Sequence, residues 1–297
     1  MYSREQHQKG RKEMKRLLSF LLALVMVLGL TGCTGNSFEM RMIKAVEQQS
    51  KLKSLHTDME TDISMSVTVM GQAVDVDLVM KGASDAVSEP PRSKTEMDIA
   101  VMGSSQKILT YTEQLDGYAM LYTSADGGKT WQKQRLESGE IPQLGKPENT
   151  VEQLKLLAES AKSFEMTGTE SIRGSEATVY SGVLEGETVE EAIRLTGILQ
   201  NLRDQAGIEV PEELFQNLGG IPVTIAIDNR SGRIVRYTME LTELMQSLMT
   251  NAMEELFASQ GFGSLDLQIE TKSAVSTVEL SQFDSVGEIV IPEAARK

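Results

Sequence analysis

From Thr61 to Val69 apolar and polar side chains alternate: Thr61, Ile63, Met65, Val67 and Val69 are separated by Asp62, Ser64, Ser66 and Thr68. A period of two puts each set on its own face of an extended chain, so this segment is predicted to be a strand with one face covered. After a turn at Gly71-Gln72 the pattern returns, with Val74, Val76, Leu78 and Met80 on one face and Asp75, Asp77 and Lys81 on the other. A loop around Glu89-Pro90-Pro91 is expected next, followed by strands over about 94–102, 106–114, 118–124 and 130–136. Gly103, Asp116-Gly117 and Asp126-Gly127-Gly128 supply the turn chemistry between them, which reads as an antiparallel meander.

Other stretches carry the helical period. Phe38, Met42, Ala45, Val46 and Leu52 predict a helix over about 38–54, and Leu244, Met245, Leu248, Met249, Ala252, Met253 and Leu256 predict another over about 242–258. Thr150-x-x-Gln153 and Thr188-x-x-Glu191 have capping-box spacing, and Pro211 suits a first helical position. Further strands are expected over about 164–171, 176–184, 221–228, 233–241 and 265–280, with a hairpin through Asp228-Asn229-Arg230-Ser231-Gly232. The sum is an α+β chain dominated by an antiparallel sheet of about eleven strands.

The first 32 residues have a different character. A basic run, Lys12, Lys15 and Arg16, leads into fourteen positions, Leu17 to Leu30, that are apolar except for Ser19 and Gly29. Crossing a bilayer takes about 20 apolar residues, whereas the core of a signal peptide takes about 7–15. The stretch ends in Leu30-Thr31-Gly32-Cys33, which resembles the lipobox of bacterial lipoproteins. That resemblance implies cleavage before Cys33 and two or three fatty-acyl chains, palmitate among them, on the new N-terminus. The expected organisation is a signal peptide over 1–32, a lipid-anchored linker over 33–37 and a single domain over 38–297. Met14 is a second candidate start, since Lys15-Arg16 alone would serve as the basic region.

Beyond residue 32 the chain holds 23 basic and 41 acidic residues, a net charge of −18. Such a surface repels nucleic-acid backbones and anionic headgroups, so no nucleic-acid partner is expected and membrane attachment is assigned to lipidated Cys33. The same stretch has one Cys, Cys33, one His, His56, and one Trp, Trp131, which excludes an internal disulfide and any two-His metal site. No cofactor is expected, and most hydrolytic and redox chemistry falls away.

Few motifs survive a structural reading. Ser124-Ala125-Asp126-Gly127-Gly128-Lys129-Thr130-Trp131 fits the Asp-box string of sialidase propellers, but one copy without a blade-length repeat reads as a hairpin turn. Asp126 would accept turn amides, Gly128 would supply positive φ and Trp131 would pack beneath. Ser50-x-x-Lys53 and Ser104-x-x-Lys107 match a serine-enzyme string by chance, Asp75 and Asp77 read as a solvated strand face, and His56 reads as the polar end of the first helix. Methionine is the informative residue: there are 17 Met against 7 Phe and 6 Tyr, many on apolar faces. Met adapts to varied apolar partners, so a lined apolar cavity competes with plain core filling. Its candidate lining is Ile63, Met65, Val67, Val76, Leu78, Met97, Ile99, Met245, Leu248 and Met249.

The order of these elements, the hairpin Val223–Asp228 to Arg233–Tyr237, and the ending Phe283-Asp284-Ser285-Val286-Gly287-Glu288-Ile289-Val290-Ile291-Pro292-Glu293 resemble LolA-like envelope proteins, the LppX/LprG type of lipoprotein included. The resemblance implies a half-open antiparallel β-barrel of about eleven strands, with helices covering the concave face and an apolar cavity that takes acyl chains. A carrier, sensor or scaffold for lipid or another amphiphile is implied, outside the cytoplasm and without catalytic residues. A non-catalytic envelope interaction module without a cavity is the alternative; a carbohydrate-active enzyme ranks third, because it would need paired carboxylates in a cleft. The four residues Thr34 to Ser37 span at most about 14 Å, which holds the domain close to the bilayer, with the Phe38, Met40 and Met42 end expected to face the lipid.

Overall fold

The computed structural model describes residues 38–137, 163–186, 188–189, 218–260 and 267–297. Its eleven strands are β1 (Ser54–Val69), β2 (Gln72–Ser88), β3 (Pro91–Val101), β4 (Ser104–Leu115), β5 (Tyr118–Ser124), β6 (Gln132–Glu137), β7 (Glu165–Ile172), β8 (Ser175–Leu184), β9 (Ile221–Asp228), β10 (Ile234–Glu240) and β11 (Leu267–Ser281). They form one antiparallel sheet in the order β6-β5-β4-β3-β2-β1-β11-β10-β9-β8-β7, so β6 and β7 are its two edges and the sheet stays open. The helices are α1 (Phe38–Gln49), α2 (Thr242–Gln260) and the four-residue α3 (Glu293–Arg296). The α+β class, the strand number and the open antiparallel arrangement follow the expectation from the sequence. Cys33, the 34–37 linker, the Thr150–Gln153 cap, most of the helix expected from Thr188, and the Pro211 helix lie outside the described residues.

Alternation along the strands gives the sheet two differently occupied faces. On the first, α1 buries Phe38, Met42 and Ala45 against Tyr180, Ile221, Val223, Ile225, Ile227 and Val278, with Leu244 and Leu248 of α2 packed alongside. Phe38 stacks on Phe164 with ring centroids 4.4 Å apart and tilts against Tyr180 at 5.0 Å. Phe38 and Met42 are therefore core residues and not the lipid-facing end expected for them; on α1 the exposed apolar side chains are Met40 and Ile43. On the second face Ile289, Ile291 and Ala295 of the C-terminal segment cover Tyr111 and Tyr122. Buried Glu113 fastens that segment: it accepts from Arg92 Nε and Nη2 at 3.0 and 2.6 Å and from Arg296 Nη2 at 3.1 Å. Burial pushes its carboxyl up, but the bonds from Arg296 and Arg92 outweigh this and hold it below the usual carboxylate range.

Three boundaries differ from the sequence reading. Helix α1 stops at Gln49, and β1 begins at Ser54 because it pairs along its full length with β2 on one side and from His56 on with β11 on the other. His56 is thus a strand residue on the second face, with Nδ1 2.6 Å from Asp85 and Nε2 3.2 Å from Asp58, rather than the end of a helix. Strand β2 runs on to Ser88, where Glu89-Pro90 makes a tight turn into β3 through the pair Ser88–Pro91, instead of the interrupting loop expected around these prolines. The β1–β2 turn is Met70-Gly71, both at positive φ, 52° and 76°.

Candidate functional site

Strand register decides which of the candidate lining residues meet. Directly opposed residues share a face, and Ile63 opposes Leu78, Met65 opposes Val76, Met80 opposes Ile99 and Gly82 opposes Met97. Ile63, Met65, Val67, Val76, Leu78, Met97 and Ile99 therefore lie on the first face, the one that α1 and α2 cover elsewhere. Ile63 is buried; the other six are half-buried, as are Met245, Leu248 and Met249 on α2. Leu248 packs against the main core cluster. Gly82 leaves room for its neighbours: a Cβ built there would lie 3.5 Å from Met59 Cε and 3.9 Å from Met97 Cε, so the two methionine ends close over the glycine. Met59 joins the same strip.

The strip continues to where the sheet is narrowest, with Met65, Val67 and Val76 beyond the end of β3. Strand β10 ends opposite Val275 of β11, in the row of Asp62, and β3 ends opposite Leu78, in the row of Ile63. Beyond that level only β11, β1 and β2 continue, a three-stranded prong whose β1 segment, Ile63 to Val69, is about 20 Å long at ~3.3 Å per residue. Helix α2 runs along the β11 edge that β10 has left. Leu241 N donates to Ala274 O at 2.6 Å and Ala274 N donates to Thr242 Oγ1 at 2.9 Å. One turn on, Thr271 N donates to Gln246 Oε1 at 2.7 Å and Gln246 Nε2 donates to Ile269 O at 3.1 Å. These side chains replace a missing strand and satisfy an edge that would otherwise invite another chain. A bulge at Lys272, between the pairs Ser64–Ser273 and Met65–Thr271, frees the Thr271 amide for Gln246. Thr271 Oγ1 is buried in the same row as Met65, without a partner among the described residues.

The other sequence motifs resolve into local structure. Asp126 Oδ1 accepts from Ser124 Oγ, Lys129 N and Thr130 N at 2.8, 3.0 and 2.9 Å, and Oδ2 accepts from Thr130 Oγ1 at 2.6 Å. The side-chain and backbone bonds from Thr130, followed by that from Ser124, drive its carboxyl far below the ordinary range. Gly128 has φ 90°, and half-buried Trp131 donates from Nε1 to Gly128 O at 3.0 Å while its ring lies 5.8 Å from Tyr111. Asp75 is bound to Lys272 at 2.6 Å and Asp77 accepts from Ser64 at 2.7 Å, so the two do not act as a carboxylate pair. His56 is drawn down by burial but raised more by its bonds to Asp85 and Asp58, for a net rise. Among the described residues no cluster of three or more His, Cys, Asp or Glu is placed to hold a metal, and no helix is long and apolar enough to cross a membrane.

Two cavities among the described residues, of about 420 and 270 Å³, lie away from the strip. The larger sits between the β7–β8 and β9–β10 turns and the end of β11, walled by Ile172, Val235, Leu280 and Phe283. The smaller lies under the C-terminal segment beside Asp85, Lys94 and Tyr111. None of the ten candidate lining residues borders either one.

Residues 39–172 match the model of a family of unknown function, DUF6612. No curated protein matches the chain in sequence. Among solved structures the chain is similar to lipoprotein LppX of Mycobacterium tuberculosis, at 12% identity and a TM-score of 0.42 over 85% of this chain and 97% of that one. LprF from Mycobacterium bovis gives 12% identity and a TM-score of 0.44 over 86% and 96%. A LolA superfamily protein from Nitrosomonas europaea gives 10% identity and a TM-score of 0.15 over 83% and 92%. Values this low transfer neither a ligand nor a role.

Sequence reasoning overlooked Gln246 and Thr242 as edge partners, and Met70 and Met102 at the hairpin tips. The pattern Val-Met-Gly occurs at both tips, 69–71 and 101–103, and was available as a signal.

Proposed function

We propose that this chain is a membrane-tethered extracytoplasmic lipoprotein that holds a lipid or other amphiphile along the apolar strip between the sheet and α2. The observation that carries the reading is the strip itself: seven of the ten candidate residues share one face by register, six of them only half-buried, beside a helix bearing three more. Half-buried Met, Val, Leu and Ile in a continuous row have apolar surface still to cover, at about 25 cal/mol per Å². Flexible thioether side chains at Met65, Met97, Met245 and Met249 suit an acyl chain of variable shape. No catalytic residue is assigned.

Attachment rests on the Leu30-Thr31-Gly32-Cys33 signal. Two acyl chains anchor stably where one binds marginally, at about 0.8 kcal/mol per buried CH₂. Changing Cys33→Ser should abolish palmitate labelling and release the chain from the membrane fraction; retention of both would refute the anchor. For the ligand, native mass spectrometry of gently purified protein should reveal an added lipid mass. Its absence, together with no uptake of an added fatty acid, would leave the interaction-module reading in its place.

A further inference from the structure

The prong ends in an apolar surface. Met70 is 76% exposed, Val74 50% and Val69 47% at its tip, while Met102 is 63% and Val101 39% exposed at the neighbouring β3–β4 turn. Met102 N donates to Asp77 O of β2 at 3.2 Å and Val101 opposes Leu78, so the β3–β4 turn sits at the base of the prong, about 20 Å back from Met70 at ~3.3 Å per residue, and both turns reach one bilayer when the prong lies along its surface. From this geometry we infer that the β1–β2 and β3–β4 hairpin tips enter the headgroup and acyl boundary of a lipid bilayer, through Val69, Met70, Val74, Val101 and Met102.

Three observations select a bilayer as the occupant. First, charge is absent from both hairpin turns and their flanks, the charged residues of the prong, Asp75, Asp77, Glu270 and Lys272, belonging to rows of its other face or to the bulge between them. Residues 63–74 lie uncharged between Asp62 and Asp75, and residues 99–106 lie uncharged between Asp98 and Lys107, although 24% of all residues are charged. A protein partner that docked by complementary charge would find nothing to read here, whereas entry into a headgroup boundary requires neutral apolar side chains. Second, both tips hold a methionine in the left-handed region, Met70 at φ 52° and Met102 at φ 48°, each followed by a glycine. Tight hairpin turns of this type favour Asn or Asp there. Placing a large apolar side chain twice at a strained and solvent-facing position is unexplained by the fold. Third, the turns elsewhere in the sheet carry charge, the one at Arg173-Gly174 with the same left-handed residue before glycine included: Asp116-Gly117, Arg173-Gly174, Asp228 to Gly232 and Asp126 to Lys129. The sequence also brings the chain to a membrane independently, through the apolar run Leu17 to Leu30 that precedes Cys33. The inference stands on exposure, charge and turn chemistry, and does not depend on what occupies the strip.

The test uses the full chain with Cys33→Ser, which leaves an introduced thiol as the only one. Met70→Cys, Met102→Cys and Asp116→Cys are each labelled with an environment-sensitive fluorophore and mixed with phosphatidylcholine vesicles containing doxyl-labelled lipid. Blue-shifted emission and quenching are expected at 70 and 102, and neither at 116, in the charged turn at the opposite end of the hairpins. A label at Val74→Cys should be quenched in the same way and should lose that quenching when Met70→Asn and Met102→Asn are added, since asparagine suits both turns. Equal response at 70, 102 and 116 overturns the inference. So does a response at 70 and 102 that needs no vesicles and grows with protein concentration, which would assign the tips to a second copy of the chain.

Discussion

Helix α2 can line the strip only if it is held against β11, and Gln246 is the residue that does so away from the helix start. Replacing Gln246→Ala deletes its two hydrogen bonds to β11, to the Thr271 amide at 2.7 Å and the Ile269 carbonyl at 3.1 Å, along with an exposed one to Thr250 Oγ1 at 3.2 Å. Each such bond contributes about 1 kcal/mol net, and a buried donor left unpaired costs about 1–3 kcal/mol. Thr271 is only 7% exposed, and the bulge at Lys272 turns its amide away from β1, so water reaches it poorly. Against this, alanine improves helix propensity by a few tenths of a kcal/mol. The expected net loss is about 2–4 kcal/mol, read in urea unfolding, or about 5–12 °C in Tm for a chain of this size. Amide exchange should localise the effect, with Thr271 losing protection while the β8–β9 ladder keeps it. Gln246→Glu retains the acceptor for Thr271 and loses the donor to Ile269, so it should protect the Thr271 amide better than alanine does. A change under about 0.5 kcal/mol with Thr271 still protected would refute the claim that α2 stands in for the missing strand.

Other consequences are as direct. Glu113→Ala should cost about 3 kcal/mol by leaving Arg92 and Arg296 unpaired, at the low end for a buried pair because Arg296 is half in water; chemical denaturation measures it. The lowered carboxyl of Glu113 stabilises the fold above its unfolded pKa near 4.5 and loses that contribution as pH falls through the folded value, so the wild type should lose more stability than Glu113→Ala on acidification. The raised pKa of His56 works in the opposite direction: its contribution is complete below about 6.5 and is lost as pH rises through the folded value, so His56→Gln should flatten the alkaline limb of a Tm-against-pH curve. Met70→Asn and Met102→Asn should each stabilise the fold by about 0.5–1 kcal/mol in thermal unfolding, because asparagine tolerates the left-handed region better. A long Gly/Ser insertion after Ser37 should leave anchoring and folding intact and slow lipid exchange with host vesicles; unchanged exchange would reduce the anchor to a localisation device.

What was legible in the sequence was whatever depended on near neighbours. The alternation from Thr61 to Val69 identified both the strand and the face that Ile63, Met65 and Val67 share, since period two needs no partner to be read. Leu52 at helical spacing drew the first helix too far, and a histidine beside it looked like a helix end; only pairing with β2 and β11 places His56 in a strand. The small residues Gly82, Ala83 and Ser84 carry no strand signal of their own, and β2 passes through them because β1 and β3 hold both sides. Met59 and Met97 meet over Gly82 by a register that no local pattern encodes. Gln246 looked like an ordinary polar helix position because the place where β10 stops is a property of the whole sheet. For Phe38 and Met42 the apolar period was right and the partner wrong: aromatic residues about 130 positions away cover Phe38 before any lipid does.

The claim that the strip holds an amphiphile is tested most directly by titrating the protein with a fluorescent fatty acid, alongside Val76→Asp in the middle of the strip and Lys133→Asp at an exposed position of β6. The account predicts saturable uptake by the wild type, strong loss with Val76→Asp, whose carboxylate would sit opposite Met65, and no change with Lys133→Asp. Absence of saturable uptake, or uptake indifferent to Val76→Asp while that variant remains folded, would contradict it.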